Sequence, residues 1–263
     1  MSPRSEPVLC QRDGPVATIV LNRPERLNAV SLSLYQELER TLGSIEAAPE
    51  IRAVVVTGSG RAFSAGADLV LHDEEDADEE ARRAYAEAAQ QAFRRLHALP
   101  RPIVAAVHGP AIGAGLELAI ACDLVVVARD ARLRFPELAL GTFVGGGTVA
   151  TLTERVGLSR AKELLLLGSF FSGEEAGAWG LVNRVVESQQ VLEVAQELAR
   201  ELAARAPVPI AFAKRLIERA RHLDTDQVMT LETEALLACM RTRDWREGIK
   251  AFREKRPPRF RGE

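Results

Sequence analysis

The chain has 263 residues, 47% hydrophobic and 27% charged, with a formal net charge of -3 at neutral pH. Such a chain can build one large apolar core, alone or with an appendage, which excludes a disordered or fibrous protein. Mild acidity argues against nucleic-acid partners held by bulk electrostatics, and no run of eighteen apolar residues predicts a membrane span.

Residues 1–7 read as a tail. Arg4, Glu6, Arg12 and Asp13 leave no apolar stretch typical of a secretory leader near the start. Cys10, Cys122 and Cys239 are widely spaced and form no CxxC pair, which suits a reducing compartment without disulfides or a zinc cluster. A cytoplasmic location and no metal site are therefore expected.

VATIVL at 16–21 predicts a strand that ends in the turn Asn22-Arg23-Pro24. Leu34, Leu38, Leu42 and Ile45 have amphipathic helical spacing over 31–45, with Ser31 or Ser33 as N-cap. AVVVT at 53–57 predicts a buried strand, followed by Gly58-Ser59-Gly60 and the small-residue turn 63–68. The acidic run at 72–80 predicts a solvated loop, and a helix follows over 81–99 until Pro100-Arg101-Pro102. A strand at 103–107 then reaches Gly109, Gly113 and Gly115 and opens into an apolar helix carrying Glu117. LVVVA at 124–128 is another buried strand, and 134–137 another turn. Short valine-rich strands alternating with helices predict an α/β fold whose sheet is covered on both faces. From Gln189 onward the patterns are helical, at 191–204, 209–220 and 226–240, and 244–263 is dense in Arg, Lys and Glu. Two regions follow: a core over 1–195 and a helical C-terminal subdomain over 196–263.

Neither glycine-rich turn completes a dinucleotide fingerprint, because Leu118 and Phe63 stand where the third glycine belongs. No Walker motif, serine nucleophile elbow or zinc-protease helix is present. Each turn alone is explained equally by close strand–helix packing or by backbone N–H groups aimed at an oxyanion. Two such turns, each after a buried strand, allow two donors to converge on one oxygen. Glu117 and Glu137 both lie in apolar settings. There a carboxylate serves either as a helix N-terminal partner of the macrodipole or as half of an acid/base pair with raised pKa values. Asp123 reads as structural, and Cys122 and Trp179 as core. His108 beside Gly109 is open to a base or a structural role; His72, His97 and His222 have no supporting context.

AFSAGADL (62–69), AAVHGPAIGAGLELAIACD (105–123), FPELALGTFVGGGT (135–148), GLVNRVV (180–186) and EGIKAFREKRPPRF (247–260) together resemble the enoyl-CoA hydratase/isomerase family, the crotonase superfamily. The resemblance runs from Leu27-Asn28-Ala29 almost to the C-terminus. It implies a crotonase-like spiral of ββα units holding a CoA-thioester site, then a helical trimerisation region, assembled as a homotrimer or a hexamer. It also implies the lyase activity of an enoyl-CoA hydratase, adding water to a 2-enoyl-CoA to give a 3-hydroxyacyl-CoA. Enoyl-CoA isomerisation, other enolate-stabilised chemistry such as hydrolysis or decarboxylation, and a CoA-binding scaffold without turnover are the alternatives. By position, Ala67 and Ala114 supply the oxyanion-hole N–H groups, and Glu117 and Glu137 the acid/base pair. Gly145 gives backbone access to the reacting water or acyl group. The coenzyme is part of the substrate and no cofactor is permanently bound. Arg26, Leu27, Ala29, Ala65, Asp68 and Leu69 would line its path, with Phe252 and Lys255 reaching a CoA phosphate and adenine across a subunit boundary. Ala114 and Val144 replace the more usual glycine and proline, and the acyl group is left open between fatty-acid metabolism, amino-acid breakdown and biosynthesis.

Overall fold

The computed structural model describes residues 6–70 and 79–263. The valine-rich runs form strands β2 (Val16–Leu21), β3 (Ala53–Gly58), β4 (Ile103–Val107) and β6 (Leu124–Ala128), since β-branched side chains suit a pleated, packed surface. They pair in parallel within a six-stranded sheet of order β1-β2-β3-β4-β6-β9. Here β1 (Val8–Asp13) is the antiparallel hairpin partner of β2, and β9 (Arg184–Val186) is the far edge. All of β4 and all but the last residue of β3 are buried, so these strands are continuous apolar runs without alternation. A second sheet joins β5 (Ala111–Ile112), β7 (Arg132–Arg134) and β8 (Phe171–Ser172).

The chain alternates between the two sheets. β4 leads to β5 and helix α3 (Ala114–Ile120), and β6 leads to β7 and the 3-10 turn Glu137–Leu140. After β3, Ser64 makes a single bridge to Ala111 of β5. This is the spiral of ββα units, a crotonase-like α/β fold. Helix α1 (Leu32–Glu46), capped by the Ser31 hydroxyl, buries Leu34, Leu38, Leu42 and Ile45 and packs on α2 (Glu79–Ala98). Apart from Glu79 and Glu80, which open α2, the acidic run at 72–80 lies outside the described residues. Helix α4 (Thr148–Leu167), broken at Gly157, and α5 (Gly173–Ala178) complete this part. No helix among the described residues is long and apolar enough to cross a membrane.

Helix α6 (Val191–Ala203) lies across β2, β3, β4 and β6 on a stripe of Val191, Ala195, Ala199 and Ala203. Small side chains at every fourth position let it approach the sheet closely. Position 195 therefore falls inside a helix that belongs to the core. The chain leaves the sheet only with α7 (Pro207–Ala220), α8 (Thr225–Met240) and α9 (Arg243–Glu254), which bury few side chains.

One polar tie anchors α7. Lys214 Nζ donates to Asp123 Oδ2 at 2.8 Å and to the carbonyls of Arg101 at 3.2 Å and Leu96 at 3.4 Å. Asp123 Oδ2 also accepts the Ile103 N–H at 2.7 Å, so the carboxylate joins α7 to the start of β4. Replacing Lys214 with methionine removes a charge-assisted bond and leaves a half-buried carboxylate without its cation. The expected loss is about 2 kcal/mol, read as a lower denaturant midpoint at unchanged slope.

Candidate active site

The two glycine-rich turns are joined to each other. Asn28 is fully buried at φ 55°, a left-handed conformation that asparagine tolerates. Its side-chain nitrogen donates to the carbonyls of Ser59 at 2.8 Å and Ala62 at 2.9 Å. The Ser64 hydroxyl returns a bond to the Asn28 carbonyl at 2.8 Å. Phe63 and Ser64 donate their N–H groups to the Pro110 carbonyl, and Ile112 donates to Ser64 at 3.0 Å. A side chain on Gly66, at φ 93°, would come within 2.7 Å of the Ile112 carbonyl oxygen and 3.7 Å of the Ala114 nitrogen. Only glycine permits this approach, which sets the Gly66–Ala67 peptide beside the start of α3. The bonds to Val30 use the Gly66 carbonyl and the Asp68 N–H, so neither engages the Ala67 N–H between them. Ala114 is the first residue of α3, and helical geometry gives its N–H no acceptor within that helix.

The two glutamates flank this point. Glu117, in the first turn of α3, is 4% exposed, and its Oε2 accepts the Gly145 N–H at 3.0 Å. Burial, then the neighbouring Glu137 carboxylate, push its pKa up to about 7, against the opposing pull of the Gly145 N–H. Glu137 opens its 3-10 turn after Pro136 and is 7% exposed. Its Oε2 is buried and has no hydrogen-bond partner among the described residues. Burial raises its pKa as well, opposed by its own backbone N–H and by Arg134. Gly113, the N-cap of α3, sits at φ 49° and ψ -125°, and any side chain there would overlap Glu137 Oε1. The start of α3 therefore touches one carboxylate and carries the other. Such a site can donate two N–H groups to a developing oxyanion and move protons with a pair of carboxyls whose pKa values burial raises.

The expected coenzyme residues separate into two groups. Arg26 is exposed, Leu27 half-buried and Ala29 buried, and the Ala65 N–H donates to the Leu27 carbonyl at 2.9 Å. Residues 26–29 and 65–69 thus form one rim, with Leu69 exposed. Asp68 is buried on that rim, and its carboxylate is turned to Arg23 at 2.8 Å. Phe252 and Lys255 stand apart, on α9 and at its C-terminal cap. Phe252 is 86% exposed beside an apolar groove lined by Ala206, Pro209, Trp245, Ile249 and Phe260, none of them from the rim.

His108 bonds the Gly60 carbonyl at 3.0 Å and stands outside the carboxylate pair. His72 lies outside the described residues. Cys122 is buried, and Trp179 is half-buried against Phe171. Several residues that shape the site escaped the sequence reading. Arg23, Asn28 and Ser64 brace the turns, and His97 lies 3.2 Å from the Gly146 carbonyl. Only Asn28, a left-handed-tolerant residue soon after a proline, carried a local signal.

A profile of the enoyl-CoA hydratase/isomerase family matches residues 11–263. A putative enoyl-CoA hydratase of Thermus thermophilus is 42% identical over 250 residues, covering 94% of this chain and 98% of that protein. The short-chain-enoyl-CoA hydratase of Clostridium acetobutylicum is 36% identical, with 95% of each covered. The crystal structure of an enoyl-CoA hydratase from Bacillus anthracis superposes with a TM-score of 0.94 at 34% identity, covering 98% of this chain and 100% of that one. With the ββα spiral and full-length sequence agreement in hand, the chain belongs to the enoyl-CoA hydratase/isomerase family.

Proposed function

We propose that the protein is an enoyl-CoA hydratase that adds water syn across the 2,3 double bond of a 2-enoyl-CoA, giving a 3-hydroxyacyl-CoA. The observation that carries this reading is the burial of Glu117 and Glu137 against one helix start, which also offers the Ala114 N–H. Hydration needs two proton-transfer groups on one face of the substrate. Isomerisation needs only one.

The thioester oxygen sits between the N–H groups of Ala67 and Ala114. Glu117 takes a proton from the attacking water as its oxygen bonds to Cβ, and negative charge builds on the thioester oxygen, where the two donors stabilise it. Glu137 orients the same water and delivers a proton to Cα, and proton exchange between the carboxyls resets the pair. Gly145 leaves room beside the water. Arg26, Leu27, Ala29, Ala65, Asp68 and Leu69 border the coenzyme, which arrives as part of the substrate; no resident cofactor takes part. Phe252 and Lys255 contact the CoA of a neighbouring subunit.

That last assignment requires an oligomer. Ile217, Met229, Leu236, Leu237, Trp245 and Phe252 are all exposed on the C-terminal helices, and a second copy is the natural cover for so apolar a surface. A homotrimer, alone or doubled to a hexamer, in the cytoplasm is the assembly we infer; sedimentation showing monomer alone would rule it out.

The direct test follows loss of enoyl-thioester absorbance with crotonyl-CoA and longer, branched and aromatic homologues. Glu117→Gln is expected to lower kcat by ~10²-fold or more with little change in substrate affinity. A variant that hydrates at the wild-type rate would remove the base from the mechanism. In the wild type, kcat/KM should rise with pH through about 7, because the base must be ionised to accept a proton and the raised pKa delays its ionisation to that value. Gly113→Ala places a methyl group against Glu137 in a backbone region reserved for glycine, and activity should fall by about 10²-fold.

A further inference from the structure

The turn that holds Glu117 is Gly145-Gly146-Gly147, and glycine backbone is the least able to hold one conformation by itself. Gly146 and Gly147 sit at φ 61° and φ 81°, and Gly147 caps α4 with no side chain to help. Local bonds from Thr148 to Gly145 and from Ala150 and Thr151 to Gly147 leave the Gly146 carbonyl to an outside partner. That partner is on α2. His97 Nε2 lies 3.2 Å from the Gly146 oxygen, and since a carbonyl only accepts, the ring nitrogen donates. One helical turn earlier on the same face, Phe93 packs so tightly that a side-chain carbon on Gly146 would lie 2.5 Å from its ring. Phe93 itself is buried and packs on Tyr35 of α1, with ring centroids 6.1 Å apart.

We propose that His97, backed by Phe93, is a positioning residue for Glu117, acting through the backbone of the glycine turn. The proposal rests on the hydration reading, in which Glu117 is the base. α2 fixes the Gly146 carbonyl, the rest of the turn follows, and the Gly145 N–H is held at 3.0 Å from Glu117 Oε2. That N–H favours the ionised carboxylate, so a slack turn makes Glu117 harder to ionise. The other titratable group acting on Glu117 is Glu137, which opposes its ionisation; the buried Tyr35 and half-buried Tyr85 also neighbour Glu117, and burial and the Glu117 carboxylate raise their own pKa values. The charged groups lining the two cavities that His97 borders are Glu46, Arg94 and Asp123, Glu154 and Arg155 on α4, Lys214, Arg215, Glu218 and Arg219 on α7, and Arg221 at the C-terminal cap of α7. Nε2 carries its proton in both the imidazolium and the Nε2–H tautomer, so the bond itself does not depend on the charge of the ring.

The test compares His97→Ala and His97→Leu, which lack the donor, with His97→Gln, which keeps a neutral N–H at a similar reach. Both donor-free variants should lose about tenfold in kcat at a KM changed less than about twofold, since the damage is to orientation rather than to binding. Their ascending pH limb should move to higher pH, and His97→Gln should restore both the rate and the limb. A fold defect alone would not move the limb, and leucine preserves bulk if alanine does not fold. Carbon-13 titration of the Glu117 carboxyl in the ligand-free protein, assigned with Glu117→Gln, reads the same shift without turnover. An upward shift in the donor-free variants supports the positioning role even if no enoyl-CoA is hydrated. Active variants whose Glu117 titrates as in the wild type overturn it, as does a glutamine variant no better than alanine.

Discussion

The hydrogen bond between the Gly145 N–H and Glu117 Oε2 is the contact on which the site depends. A carboxylate this deeply buried, with a second one beside it, has two opposing demands on it. Removal from water and the repulsion of Glu137 both favour the neutral acid, while one backbone donor favours the anion. The balance leaves the group near neutrality, where a carboxyl can both take and release a proton at physiological pH. More donors would trap it as a permanent anion. None would leave a permanent acid.

The fold serves that balance by bringing backbone close to backbone. Parallel strands β3 and β4 end side by side, so the turns that follow them must pack against each other. Gly66 lets the first turn lie against the Ile112 carbonyl, and Gly113 leaves the space that Glu137 occupies. Polar braces then hold the turns at that separation: Asn28 beneath the first, and Arg23 tied to both Asp68 and the Ala29 carbonyl. Arg23 and Asp68 are largely removed from water, which makes their pair a stiff element of the rim rather than a screened surface contact. Rigidity of this kind is what an oxyanion site requires, because donors that must reorganise during the reaction lose much of their effect.

The regular elements were legible where a single environment governs a whole segment. β2, β3, β4 and β6 are buried strands and read as such, and α1 and α2 have one apolar face each. β1 was not read because it is an edge strand with one fully buried residue, so neither alternation nor an apolar run marks it. α4 was missed because Val149, Leu158, Leu166 and Leu167 are exposed, which blurs the contrast between its faces. The boundary at 195 followed a change in composition, whereas the sheet is covered by a helix that continues to Ala203.

By itself the sequence determined that Glu117 sits in an apolar helix behind a glycine turn, that Glu137 follows a proline in another apolar stretch, and that short buried strands alternate with helices. These are local properties, set by neighbours along the chain. Tertiary structure alone decided that the two carboxyls meet at the start of α3, that Asp68 turns to Arg23, and that His97, 49 positions from Gly146, touches the turn that holds Glu117. Contacts of that separation leave no periodic mark, because a single hydrogen bond or ion pair constrains two side chains and nothing between them. They exist only once the parallel sheet has set the ends of its strands next to one another.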